Sequence, residues 1–390
     1  MPSTSPRPFT IAVPEHVLDD LRERLRRTRF PGPIAGGGWD YGTDLGYMRD
    51  LVKYWTDHYD WCLAETALNG MAQFLATVDG LDQLDLHFVH VKGKGPRPLP
   101  LLFSHGWPGS FWEVHRILGP LTDPAAYGGD PADAFDVVAP SLPGYGFSED
   151  PARRGMGPRA IASVFAALMT DVLGYSRFGA QGGDWGAAIT SWLGHEHGGA
   201  VVGIHLNLIG ARPHTGDGAP PLTPAEQTFI AEFREWVQTE GGYQHIQSTR
   251  PQTLAYSLND SPAGLAAWII EKFRAWSDCG GNVESRFTKD ELLTNVMIYW
   301  VTGCIGSSVR LYAEARPALG PPLGPGERIE VPTAFARFPA ELTRPPREWV
   351  ERAYNLHRWS EFPRGGHFAA LEEPELLVKD LRAFFRPLRG

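Results

Sequence analysis

The chain has 390 residues, 43% of them hydrophobic, with a formal net charge of −9 and three cysteines. That is enough apolar material for one large core with an inserted subdomain, and no stretch approaches the roughly 20 apolar residues of a membrane span. The acidic balance argues against nucleic acid or an anionic membrane as partner, since both want a basic stripe, and the scattered Cys62, Cys279 and Cys304 offer neither a disulfide framework nor a thiolate metal site.

In chain order, Met1 to Pro8 is polar and proline-rich, with no signal sequence. Residues 1–80 read as helices and turns wrapped on the core that follows. Pro14 opens a helix whose stripe is Val17, Leu18, Leu21 and Leu25. Its basic end, Arg24 to Arg29, suits the helix dipole, and Pro31 to Gly38 ends it. Leu45, Met48, Leu51, Val52 and Trp55 mark a second amphipathic helix. The core begins in the segment 81–212 with Leu84 to Val91, whose period of two predicts a strand, and continues through Leu99 to Phe103 and Phe135 to Ala139. Ser176 to Ala180 is a short buried strand, Ala187 to Leu193 a helix with small residues toward the sheet, and Val201 to Leu206 another strand. His195-Glu196-His197 lacks the i, i+4 spacing of a metal pair and reads as a polar helix end. This alternation predicts an α/β fold, a mostly parallel sheet with helices on both faces. Residues 213–312 are helix-prone and aromatic, and the core resumes over 313–390 with Ile329 to Phe335 and a terminal helix from Glu373 to Phe385.

Three short segments carry chemistry. Gln181-Gly182-Gly183-Asp184-Trp185-Gly186 has the spacing of a nucleophile elbow, a strand-to-helix turn with small residues two positions either side of the exposed side chain. Aspartate in place of serine changes the reaction: a carboxylate displaces a leaving group from saturated carbon and leaves a hydrolysable ester on the protein. Alone, the motif would serve equally as a helix cap. Ser104-His105-Gly106-Trp107-Pro108-Gly109-Ser110 follows an apolar run, where an α/β-hydrolase builds half of its oxyanion hole, so the expected donors are the backbone N–H groups of Trp107 and Trp185. Arg364-Gly365-Gly366-His367-Phe368 places a glycine-flanked histidine downstream of both, in the chain order of a catalytic base.

Together with Tyr59-Asp60-Trp61, Pro140 to Ser148, Gly242 to Gln247 and Leu258 to Pro262, these segments make the chain resemble the microsomal-type epoxide hydrolases of the α/β-hydrolase superfamily over nearly its whole length. The resemblance implies a helical lid over residues 213–312 and an N-terminal segment packed on the core. It also implies two lid tyrosines that protonate the opening oxygen, matching Tyr243 and Tyr312. The acid that orients His367 matches Glu341, at a spacing about one residue shorter than the family's, with Glu330 and Glu361 as fallbacks. Membrane-bound relatives carry an apolar anchor ahead of this segment, which Met1 to Pro8 does not match.

The expected reaction is therefore attack of Asp184 on an apolar, aromatic or bulky epoxide, then hydrolysis of the ester by water activated by His367, giving a vicinal diol. Neither a cofactor nor a metal is required. The partners are epoxide and water, without nucleic acid or a membrane anchor, with a homodimer left open. A soluble cytoplasmic enzyme of detoxification or natural-product biosynthesis fits this reading. Two alternatives stay open: a haloalkane dehalogenase using the same aspartate, and a non-catalytic binding protein on the same scaffold.

Overall fold

The computed structural model describes residues 5–81, 83–316 and 319–390. Within them one sheet has the strand order β1-β2-β3-β5-β4-β6-β7-β8-β9. The strands are β1 (Arg7–Phe9), β2 (Gln73–Val78), β3 (Leu84–Val91), β4 (Leu99–Ser104), β5 (Phe135–Pro140), β6 (Phe178–Gly182), β7 (Val201–Leu206), β8 (Ile329–Arg337) and β9 (Tyr354–Glu361). The pairings β1–β2, β2–β3 and β3–β5 are antiparallel, and all others are parallel. Every residue of β5, β6 and β7 is buried. Parallel strands covered on both faces need apolar residues without alternation, which is why these segments read as continuous runs.

The first helices are α1 (Glu15–Arg26), α2 (Leu45–Asp57) and α3 (Trp61–Asn69), followed by α4 (His115–Thr122), α5 (Pro158–Ala167) and α6 (Asp184–Glu196). The lid comprises α7 (Pro224–Glu240), α8 (Gly242–Thr249), α9 (Pro251–Asp260), α10 (Pro262–Trp276), α11 (Lys289–Thr302) and α12 (Ile305–Glu314). The chain closes with α13 (Arg347–Ala353), α14 (Ala369–Glu372) and α15 (Pro374–Phe385). Helices α5 and α6 pair on one face of the sheet, and α4 and α15 pair on the other. This is the α/β-hydrolase architecture expected above.

One expectation is corrected. Residues 1–80 hold two strands, β1 and β2, beside their helices, and these extend the sheet antiparallel to β3. β1 is three residues long and contains Pro8. Proline is tolerated there because an edge strand has a side that needs no ladder donor. Smaller shifts are local: α1 closes at Arg26, ahead of Pro31, and Ser176 and Arg177 precede β6. The N-terminal segment also grips the lid. Arg24 pairs with Asp260 of α9 at 2.7 Å, Thr43 donates to the Ala267 carbonyl of α10, and the Tyr59 hydroxyl lies 3.2 Å from Thr294 Oγ1 of α11.

Candidate active site

The loops that follow β4, β6, β8 and β9 meet at the carboxyl edge of the parallel strands, where open α/β sheets bind ligands. Asp184 begins α6 with φ +47°, the only positive φ outside glycine among the described residues. Such a backbone costs on the order of 1–3 kcal/mol and persists because its surroundings fix it. The turn is close-packed: a Cβ on Gly186 would sit 2.0 Å from the Ser104 carbonyl oxygen, and one on Gly106 would sit 2.2 Å from Asp184 Oδ1. Glycine at both positions lets the two loops touch.

Both carboxylate oxygens of Asp184 are engaged. The Trp107 backbone N–H donates to Oδ1 at 2.8 Å, and His367 Nε2 lies 3.3 Å from Oδ2. On its other side His367 Nδ1 meets Glu341 Oε1 at 2.6 Å. An isolated bridge between Ala340 and Gly366 sets this register, bringing Glu341 alongside His367 across 26 residues of sequence. Burial disfavours the imidazolium, but the adjacent Glu341 and Asp184 outweigh it and hold His367 well above the ordinary imidazole pKa. Glu330 is paired with Arg328 and Glu361 with Arg337, so neither fallback meets the histidine.

Tyr243 and Tyr312 descend from α8 and α12 into the same cavity as Asp184 and Trp185. The Trp107 indole arranges them: it stacks on Tyr243 at 5.6 Å and meets Tyr312 edge-on at 5.8 Å. The two tyrosine rings are 5.9 Å apart, edge to face. Burial, then the negative charge of Asp184, raises the Tyr243 pKa well above its ordinary value; burial, then Tyr243 and Asp184, does so for Tyr312. Both phenols therefore stay protonated and able to donate. Trp185 is buried with its ring edge-on to Tyr312 at 4.6 Å.

Sequence reading missed three supports. Glu113, one turn beyond the Trp107 loop, lines a small cavity of about 20 Å³ with Gln181, Asn207, Asp184 and His367. Its volume matches a single water, and Gln181 Oε1 and Ser104 Oγ are buried there without hydrogen-bond partners among the described residues. Burial pushes the Glu113 carboxyl up to about 8, against the pull of His367. Asn295 and Tyr299 of α11 hold the Trp107 loop from the lid side. Asn295 Nδ2 donates to the Pro108 carbonyl at 2.8 Å, and the Tyr299 hydroxyl donates to the Gly109 carbonyl at 2.6 Å. The position of Glu113, just after Gly109-Ser110, was the only local hint; Asn295 and Tyr299 left none.

Residues 6–114 match the family model described as the epoxide hydrolase N terminus, and residues 100–242 match the alpha/beta hydrolase fold. The chain is 39% identical to epoxide hydrolase 1 of Oryctolagus cuniculus, over 97% of this chain and 88% of the relative. It is also 39% identical to juvenile hormone epoxide hydrolase 2 of Ctenocephalides felis, over 97% of this chain and 85% of that protein. Among solved structures, juvenile hormone epoxide hydrolase of Bombyx mori superposes with a TM-score of 0.87 at 32% identity, covering 99% of this chain and 95% of that one. The Aspergillus niger epoxide hydrolase gives 0.85 at 32% identity, with 98% and 97% covered.

Proposed function

The chain belongs to the microsomal-type epoxide hydrolase family and is an epoxide hydrolase, and from that premise we propose that Asp184 is its nucleophile in a two-step reaction. The observation that carries this reading is the engagement of one carboxylate from two sides, by the Trp107 N–H at Oδ1 and by His367 at Oδ2. Oδ2 attacks an oxirane carbon from the backside, and the breaking C–O bond leaves its electron pair on oxygen. Tyr243 and Tyr312 donate to that oxygen as charge develops, and one proton is transferred to it. The result is a hydroxyalkyl ester of Asp184.

Esterification removes one of the two negative charges that keep His367 protonated. Its pKa then falls, the imidazole's proton passes by way of solvent to the tyrosinate left by the first step, restoring the phenol, and His367 becomes a competent base held in place by Glu341. Water loses a proton to His367 and attacks the ester carbonyl. The charge on Oδ1 is met by the N–H groups of Trp107 and Trp185. Collapse of this intermediate expels the alkoxide, which takes the proton from His367 to leave as the diol, and the carboxyl proton left on Asp184 passes to His367, restoring the resting ion pair. The cavity that receives the epoxide has a volume of about 870 Å³ and a lining rich in Phe229, Phe233, Trp236, Leu208 and Trp349. That wall favours a bulky, largely apolar substrate.

Oxygen labelling tests the covalent step. In a single turnover with enzyme in excess in heavy-oxygen water, the first diol carries an unlabelled oxygen from Asp184 and the label enters the protein. A first diol that is fully labelled overturns the ester and makes Asp184 at most a general base.

A further inference from the structure

The wall of the substrate cavity holds two arginines that form no ion pair among the described residues. Arg212 and Arg234 both line it, and Asp184 is the sole carboxylate among the described lining residues. Many of the chain's arginines pair with acids, among them Arg24 with Asp20 and Asp260, Arg286 with Asp278 and Glu373, and Arg352 with the buried Glu226. Arg212, among the described residues, has one partner, the ring of Phe233, 4.7 Å beneath its guanidinium carbon. The aromatic face supports the cation without using its N–H donors. Although the residue as a whole is exposed, partial desolvation holds the guanidinium below its ordinary pKa, and among the described residues no acid offsets it.

A partly desolvated guanidinium whose planar fork of donors faces a ligand cavity is matched by a carboxylate, which accepts two parallel hydrogen bonds from it. A carboxylate close to Asp184 would meet a like charge, so the anion and the oxirane must lie at separate places in the ligand. We propose that Arg212, with Arg234 adding charge on the same wall, is an anion-recognition site, and that the substrate is an apolar epoxide bearing a carboxylate remote from the oxirane. This rests on the reading of Asp184 as the nucleophile in that cavity. Phe233 sets the plane of the guanidinium, and the aromatic wall receives the apolar body between the two ends.

The test compares 10,11-epoxyundecanoate with its primary amide, a neutral analogue of nearly the same shape. The quantity read is the ratio of kcat/KM for acid over amide within each protein, which cancels any general loss of activity. Charge-assisted hydrogen bonding to a carboxylate is expected to lower this ratio about 10-fold to 100-fold in Arg212→Gln, with Arg212→Lys intermediate. Calorimetric titration with the unreactive undecanoate and undecanamide gives the same comparison for binding alone. An acid-to-amide ratio equal in wild type, Arg212→Gln and Arg212→Lys, in both turnover and titration, overturns the anion site. If wild type hydrolyses neither epoxide while titration still shows the Arg212-dependent preference for undecanoate, the anion site stands and the nucleophile reading fails.

Discussion

At the scale of single residues the site is a chain of charges read from one end to the other. Glu341 holds His367, His367 faces Asp184, and Asp184 receives the Trp107 N–H. Each link biases the next through the imidazole, whose proton is retained while both carboxylates are charged. His367→Gln keeps a hydrogen-bonding side chain but removes the proposed base, so on this proposal the first half-reaction survives and the second stalls. The variant is expected to accumulate an adduct of one substrate mass, with ester hydrolysis slowed at least about 10²-fold to 10⁴-fold. Mass spectrometry of protein quenched under saturating epoxide checks this. Steady turnover near the wild-type rate without an adduct would remove His367 from the proposed role.

Elements position these residues through buried polar contacts between helices and loops. The loop after β5 anchors the helix that carries Tyr312: Tyr145 donates to the Ser308 carbonyl at 3.0 Å, and Ser307 donates to the Gly144 carbonyl at 2.6 Å. The loop bearing His367 is tied down by Glu372, which accepts the N–H groups of Asp278 and Phe368 at 2.7 and 2.9 Å. Helix α15 is fixed to the sheet by Asp380, which contacts His205 of β7 at 3.0 Å and accepts from Arg358 and Ser360 of β9 at 2.7 and 2.6 Å. Burial alone would raise the Asp380 carboxyl, but hydrogen bonding and charge from His205, with Ser360 and Arg358, bring it from 3.8 to about 2. A folded-state pKa below the unfolded one means stability present above about pH 4 and lost as pH falls through about 2. The contribution is on the order of 2 kcal/mol. Urea midpoints of wild type and Asp380→Asn should therefore differ by a constant amount at neutral pH and converge between about pH 4 and 2. A difference that does not change over that range contradicts this account.

For the whole molecule, the N-terminal segment joins sheet and lid rather than forming a detachable cover. Asn69 exchanges two hydrogen bonds with the Ile11 backbone, closing the segment on itself. Leu18, Leu21, Leu25, Met48, Leu51, Val52, Trp55, Trp61 and Leu68 are all buried in the common core. At about 1.5–3 kcal/mol for each large apolar side chain removed from water, their burial is of the same order as the net stability of a folded domain, about 5–15 kcal/mol. A chain starting at Met71 would expose the faces of α10 and α11 that this segment covers. It should be recovered as aggregate rather than as a folded monomer, as size-exclusion chromatography and thermal unfolding will show. A monodisperse product unfolding at the wild-type temperature would make the segment dispensable. Among the described residues no single helix is long and apolar enough to cross a membrane.

Features that depend on a short window were legible in the sequence. The apolar runs of β4, β5 and β7 follow from burial on both faces, and the spacing of Gly182, Asp184 and Gly186 follows from the sterics of one tight turn. Tyr243, Tyr312 and Glu341 came from resemblance, since nothing in their local spacing tells a lid phenol or a positioning acid from a surface residue. Tertiary structure alone decided the rest. β1 and β2 are strands because β3 offers them an open edge, against weak local pattern. The Ala340–Gly366 bridge brings Glu341, and not Glu330 or Glu361, to His367, and the packing of α11 on the Trp107 loop brings Asn295 to Pro108. Glu113 and Arg212 acquire their surroundings only when distant segments close around them. Local chemistry is written in consecutive residues, whereas burial, charge pairing and cavity walls are properties of contacts between residues far apart in the chain, which form only on folding.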